Sequence, residues 1–317
     1  MRPMVSVIIP NLHSPMVDKT IDSVKNQVQV NGDFEIIVVG LDEHSLVRPD
    51  GQVKRISTEK PVIPATARNI GIGFARGDVI VYIDADCVAD RFWLSRLLSA
   101  HEQGADLVGG SVGFTTDNYW TLCDNLTSFH EYLPGTRTKR RLYFPTINLS
   151  IKREVMDRIG PFDESLPTGE DIDLTVRCHL AGYALQFEPA ALVYHHPDRA
   201  NFGALVNHAA IAGGNSLKVR QRYPEVFWTP KIVTNRHLLI GLSPLLALYG
   251  VLRVVTSSPA VLGYWYTLPA IYVAKLAWCW GASRSLQHER RTATVPRPID
   301  PPTRGRSGPT IGNARQA

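Results

Sequence analysis

Paired cysteines are missing. The four present, Cys87, Cys123, Cys178 and Cys279, stand far apart, and no C-x-x-C occurs. That excludes a zinc ribbon, a thioredoxin-type redox motif and a small disulfide scaffold, and it fits a reducing compartment. No phosphate-binding Gly-Lys-Ser/Thr loop is present. Gly71, Gly73 and Gly77 are spaced G-x-G-x-x-x-G and precede a strand-like run, whereas a dinucleotide fingerprint follows a strand and opens a helix. Met1-Arg2-Pro3 leads straight into a strand-like run, so no secretory leader is expected there. Charged residues make up 20% of the 317 and hydrophobic residues 44%, which excludes disorder along the whole chain. The length suits one large domain or two small ones.

What charge there is lies unevenly. From Arg284 onward seven arginines (284, 290, 291, 297, 304, 306, 315) face only Glu289 and Asp300, a surplus of five that equals the net charge of +5. The body before it sums to zero. A basic arm of this kind reads as facing a partner or a membrane surface, and no nucleic-acid partner is expected.

Val5-Ser6-Val7-Ile8-Ile9-Pro10 is a β-branched run closed by proline, and residues 34–39 and 78–83 are two more apolar runs. Between and after them, residues 16–27, 64–76 and 91–103 carry helical spacing, and residues 105–114 are again strand-like. Continuous apolar strands alternating with helices predict an α/β fold, a doubly wound, mostly parallel sheet covered on both faces. Residues 1–115 then form a nucleotide-binding half and residues 116–225 a second half. In the latter, strands are expected at 142–151, 184–187 and 191–194, and helices at 170–181 and 201–222.

Asp84-Ala85-Asp86 directly follows the third strand. Open α/β sheets bind ligands at the carboxyl ends of their strands, and hard carboxylate oxygens there suit Mg²⁺ or Mn²⁺ on a diphosphate. A solvated turn is the plain alternative. Other features accompany the pair in order: Ala67-Arg68-Asn69-Ile70-Gly71, Ala75-Arg76-Gly77-Asp78, Gly160-Pro161-Phe162-Asp163-Glu164, and Thr168-Gly169-Glu170-Asp171. Together they resemble the inverting family 2 glycosyltransferases of GT-A fold, from Val5 to about His196.

The resemblance implies roles. Asp84 and Asp86 would hold Mn²⁺ or Mg²⁺ on the diphosphate of a nucleotide-sugar donor, a UDP-sugar. Arg68 would sit near the phosphates or the uracil, with Pro10 and Asp42 at the same donor site. Asp171 would be the base that deprotonates an acceptor hydroxyl, with Glu170 beside it; acidic residues there also suit a helix N-terminus. His195 would complete the metal shell, with His196 as the alternative. The chain departs from the family where paired acids usually follow the second strand: it reads Val39-Gly40-Leu41-Asp42-Glu43, with Asp42 shifted. No Q-x-x-R-W element of processive synthases occurs, which points to single-sugar transfer. Rival classes are a sugar-nucleotide pyrophosphorylase, whose Gly-rich loop after the first strand is replaced by Asn11-Leu12-His13-Ser14-Pro15, and a non-catalytic membrane scaffold.

Residues 238–252 and 260–274 are two uncharged stretches of fifteen, each reaching spanning length only if Arg253 or Lys275 snorkels. Basic residues flank the pair on both outer sides. The expectation is a membrane-associated helical hairpin over 226–285, spanning or interfacial, and a disordered basic tail over 286–317. The enzyme would then sit on the cytoplasmic face of the cell membrane and take a glycolipid or glycan acceptor.

Overall fold

A computed structural model describes residues 5–30, 32–135, 139–227 and 234–289. Of the tail expected to be disordered over 286–317, residues 286–289 are instead helical, with Leu286 buried, and those from 290 onward lie outside the described residues. Strand β1 (Val5–Leu12), helix α1 (Val17–Lys25), β2 (Phe34–Leu41), β3 (Val53–Ser57), α2 (Pro64–Phe74) and β4 (Val79–Ile83) build the first half. The short β5 (Cys87–Ala89), α3 (Trp93–Glu102), β6 (Leu107–Phe114) and α4 (Tyr119–Phe129) follow. Next come β7 (Lys139–Arg140), β8 (Asn148–Lys152), α5 (Arg153–Ile159), α6 (Glu170–Leu180) and β9 (Leu185–His195). Four helices close the described chain: α7 (Phe202–Arg222), α8 (Arg236–Gly241), α9 (Ser243–Ser257) and α10 (Leu268–Glu289), with a 3-10 stretch, Pro259–Thr267, between the last two.

The strands form one sheet in the order β3-β2-β1-β4-β8-β6-β9-β5, with β7 paired to β9. β3, β2, β1 and β4 run parallel, which brings their carboxyl ends to one edge. Fully buried Val7, Ile8, Ile9, Ile36, Ile80 and Val81 make this half near-continuously apolar, as a sheet covered on both faces requires. β8 pairs antiparallel with both β4 and β6 and so mixes the sheet.

Several expectations need correction. β1 does not stop at Pro10 but runs to Leu12; Pro10 lies beyond Ile8, the last residue paired with β4, where one side of the strand is free and a missing N–H is tolerated. Gly40 lies inside β2 at φ 131°, and a Cβ there would come within 2.0 Å of the Asn11 carbonyl oxygen, so only glycine lets the two strand ends meet. The strand expected over 142–151 forms only at Asn148–Lys152. Before it the chain is a loop held by side chains, with the Phe144 N–H donating to Thr175 Oγ1 at 3.1 Å. The two strands expected over 184–194 are one, β9, bulged where β6 passes from Gly110 to Ser111.

The C-terminal helices also differ from the expectation of spanning length. Among the described residues no helix is long and apolar enough to cross a membrane. α9 has fifteen residues, about 22 Å of helix against a hydrocarbon core of about 30 Å. The segment instead packs on the α/β body. Leu122 and Leu126 of α4 join Val251, Val254 and Ile271 in one cluster, and α10 crosses α7 where Gly213 and Gly281 let the backbones touch.

Candidate active site

The carboxyl ends of β1, β2 and β4 present Asn11, Asp42 and Asp84 along one edge. The loop carrying Asp84 and Asp86 is pinned from below: Ser14 Oγ and Thr20 Oγ1 both donate to the Ala85 carbonyl, at 2.8 and 3.1 Å. With its middle residue tethered, the loop turns its two acids in different directions.

Asp84 faces α2. Its Oδ1 accepts from Arg68 Nη2 at 2.9 Å, and Arg68 Nη1 donates to Glu170 Oε1 at 2.6 Å. Arg68 is 3% exposed and thus bridges the strand-end acid to the first turn of α6. Glu170 and Asp171 are not the helix cap: Gly169 holds that position in the left-handed region, with no side-chain cap bond. Burial, reinforced by the neighbouring Asp171 charge, pushes the Glu170 carboxyl up to about 7 despite Arg68. Burial likewise raises Asp171, against the pull of Arg68. Asp171 accepts from the Ile172 N–H at 2.7 Å and from the Thr146 N–H at 3.4 Å, which fixes its orientation. A raised carboxylate held by backbone is a stronger base than a free one.

Asp86 faces β9. Antiparallel pairing of β5 with β9 puts Cys87 opposite His195, and the His196 N–H donates to the Asp86 carbonyl at 2.9 Å. Asp86 Oδ2 then lies 3.4 Å from His195 Nε2. His195 is the last residue of β9 and is buried, its ring edge-on to Phe129. Its Nδ1 lies 2.5 Å from Asn125 Oδ1, while Asn125 Nδ2 donates to the His195 carbonyl at 3.5 Å. That assigns the proton to Nδ1, so in the neutral ring the Nε2 lone pair faces a carboxylate. A divalent cation placed between the two would accept from both. Burial pushes Asp86 up, but His195 and then Arg199 outweigh it and hold its carboxyl below the usual range. His196 is half-buried and has no such contact with Asp86 through its ring.

The donor set therefore fits a divalent ion in part. Two ligand atoms about 2.1 Å from a Mg²⁺-sized ion stand roughly 3 Å apart, close to the Asp86–His195 spacing, and a ligating His commonly donates its other N–H to a carbonyl as His195 does. The expected trio of Asp84, Asp86 and His195 is not assembled, because Asp84 is turned to Arg68. Among the described residues no three His, Cys, Asp or Glu side chains gather as metal ligands.

Asp42 is buried and closes its own loop, accepting from the Leu46 and Val47 N–H groups at 3.2 and 2.9 Å. Pro10 lies inside β1, two residues short of the strand end. Sequence reasoning missed Asn125, Ser14 and Thr20. Asn125 was hidden because the polar run of α4 gives no clear period, although Asn118 caps it by accepting from the N–H groups of Trp120 and Thr121.

The chain is similar to known glycosyltransferases in sequence and in fold. The family model described as glycosyl transferase family 2 matches residues 6–162. Glycosyltransferase AglE of Haloferax volcanii is 30% identical over 229 residues, covering 68% of this chain and 74% of that protein. The pre-mycofactocin glycosyltransferase of Mycobacterium tuberculosis is 28% identical and covers 51% of this chain, which spans only 36% of it. Validoxylamine A glucosyltransferase of Streptomyces hygroscopicus is 24% identical over 74% of this chain and 64% of its own length. Among solved structures, GalNAc-T7 with UDP, GalNAc and Mn²⁺ superposes at a TM-score of 0.52 and 16% identity, covering 72% of this chain and 52% of that one. That likeness is one of fold, a GT-A-like α/β sheet with helices.

Proposed function

The chain belongs to glycosyl transferase family 2 and is a glycosyltransferase, and from that premise we propose that it moves one sugar from a nucleoside-diphosphate donor, a UDP-sugar, to a hydroxyl of a lipid-linked or glycan acceptor. The observation that carries this reading is the division of labour along the sheet edge: Asp86 with His195 on one side, and Arg68 joining Asp84 to the Glu170–Asp171 turn on the other. An inverting displacement needs opposite things on opposite faces of the reacting carbon.

Asp86 and His195 would hold Mn²⁺ or Mg²⁺ against the donor diphosphate, and the chemistry supplied there is Lewis-acid neutralisation of the charge that builds on the leaving group. GalNAc-T7, solved with UDP and Mn²⁺, supports the choice of donor and ion. Asp171 takes the proton from the acceptor hydroxyl. Arg68 keeps Asp84 and Glu170 in register and gives Glu170 a counter-charge. Asp42 has both oxygens in its own loop, so any contact with the base uses its remaining lone pairs, past the end of β1. Membrane attachment on the cytoplasmic side remains part of this proposal, through surface contact and not through a spanning helix.

The test is release of nucleotide from UDP-, GDP- and dTDP-sugars in the presence of Mn²⁺, by the wild type and by Asp171→Asn. UDP release by the wild type, cut about 10²–10⁴-fold in the variant with donor affinity kept, is the expected result. Near-normal turnover by Asp171→Asn would move the base elsewhere, and no release from any donor would sink the reading.

A further inference from the structure

The seam where the α/β body meets α9 and α10 carries unbalanced positive charge. One carboxylate, Glu131, serves two arginines: Arg253 Nη2 at 2.5 Å and Arg141 Nη1 at 3.3 Å. Lys275 of α10 reaches into the same seam, where its Nζ donates to the Thr127 carbonyl at 3.2 Å. Among the described residues Lys275 has no carboxylate partner. Three cations against one acid leave a surplus of two. Burial, then the Arg253 charge, pulls the Lys275 ammonium down to about 8. Burial and the same three cations hold the His130 ring neutral, its pKa drawn down to about 3.

A second observation concerns hydrogen bonds. Thr127 Oγ1, His130 Nδ1 and Arg141 Nε are buried without a partner among the described residues. Each can donate, and buried donors left unpaired are costly. Unpaired donors and surplus positive charge in one seam favour an anion.

Location ties this seam to the reaction. Arg141 begins the loop that leads to Thr146, whose N–H holds Asp171. Four residues lie between them, and the five steps from Cα to Cα span at most roughly 18 Å of extended chain. Tyr143, between them, lines a narrow cleft with Ile172, Ser216, Val219, Arg220 and Phe227. Arg220 stacks on Phe227 and has no carboxylate partner among the described residues. On the outer side, Leu245, Leu248, Tyr249 and Leu252 are all at least half exposed and recur at helical spacing along α9, ending beside Arg253. The chain carries no Asp or Glu between Glu225 and Glu289, so nothing on this segment repels an anion, whereas a second copy would set like charges together.

We propose that this seam binds the phosphoryl group of the acceptor, and that the acceptor is a sugar-bearing lipid phosphate or diphosphate whose chain lies along the outer stripe of α9. This rests on the transferase reading and names the acceptor of the same site. The phosphate would be held by Lys275, Arg253 and Arg141.

Calorimetric titration of the full chain in EDTA, where no cation can hold a diphosphate at Asp86, tests it with farnesyl phosphate, farnesol and inorganic phosphate as probes. Farnesyl phosphate should bind about tenfold or more tighter than either of the others. Lys275→Met should weaken farnesyl phosphate at least tenfold while raising the melting temperature, because it removes a buried charge. Arg253→Gln, at a half-exposed position, should weaken it in the same way and carries the test should Lys275→Met misfold. Leu248→Glu should weaken farnesyl phosphate and leave inorganic phosphate unchanged. Equal affinity for farnesol and farnesyl phosphate would overturn the anion site. Inorganic phosphate binding as tightly as farnesyl phosphate would make this a free-phosphate site and overturn the lipid. Unchanged affinity in both Lys275→Met and Arg253→Gln would overturn both. Mn²⁺-dependent UDP binding by the wild type, measured alongside, reports separately on the transferase reading.

Discussion

His195 is held by three neighbours at once: Asn125 on one ring nitrogen, Asp86 opposite the other, and the Phe129 ring against its edge. The tautomer follows from that arrangement, and with it the direction of the free lone pair. Asn125 is a positioning residue, since it acts only through His195. Asn125→Ala should therefore weaken Mn²⁺-dependent nucleotide binding about 10–100-fold, the usual effect of losing the partner of a metal-ligating His. Nucleotide affinity in EDTA should stay the same in variant and wild type. A variant that matches the wild type with Mn²⁺ present would remove His195 from the metal site. Arg68 works differently. It neutralises two acids that would otherwise repel each other and the donor diphosphate, so it serves the geometry without an open face of its own.

At the scale of elements, α10 is where the C-terminal segment joins the body. A Cβ on Gly281 would lie 1.8 Å from the Ala210 carbonyl oxygen, and one on Gly213 would lie 2.1 Å from that of Trp278. Helices this close need glycine on both sides, because the obstacle is backbone and cannot rotate away. Gly281→Ala should push α10 off α7 and lower stability by about 1–3 kcal/mol, read as a shifted urea midpoint. An unchanged midpoint would mean that the crossing has room for a methyl group. At the other edge of the sheet, β3 meets solvent with Lys54, paired to Glu35 at 2.6 Å, and Arg55, 3.7 Å from Asp42, the charged character by which edge strands resist pairing with another chain.

For the whole molecule, the pH dependence of stability comes from buried groups outside the site and within it. His101 is held between the Ala105 carbonyl and Ser150 Oγ, and burial lowers its pKa to about 4. Its folded value lies below the unfolded one, so its contribution is intact above about 6.5 and is lost as pH falls towards 4, by about 3 kcal/mol in full. Glu170, raised to about 7, works in the opposite sense between about 4.5 and 7. His101→Gln should leave the Glu170 effect and flatten only the histidine's loss, so the gap between the two stability curves changes with acidification; parallel curves would contradict this.

The legible parts of this fold were those whose burial is written in composition. β1, β2 and β4 are runs of Val and Ile, and the helices 64–76, 170–181 and 201–222 follow their apolar spacing to within two residues. β3 reads Val-Lys-Arg-Ile-Ser and β5 spans three residues, too polar and too short to stand out. Residues 142–147 look like a strand because Tyr143 and Phe144 are apolar, yet they pack on α6 through side chains. At the site, Asp84, Asp86 and the Glu170–Asp171 pair could be read from their order along the chain. The turning of Asp84 to Arg68 could not, because it depends on a contact between α2 and α6 a hundred residues apart in sequence.

Everything proposed for the donor side turns on whether Asp86 and His195 hold a cation that in turn holds the donor. Calorimetric titration of UDP into the wild type and Asp86→Ala, each with Mn²⁺ and with EDTA, tests it most directly. Mn²⁺ should tighten UDP binding to the wild type at least tenfold and leave a folded Asp86→Ala protein at its affinity in EDTA. Equal Mn²⁺ enhancement in both proteins would contradict it.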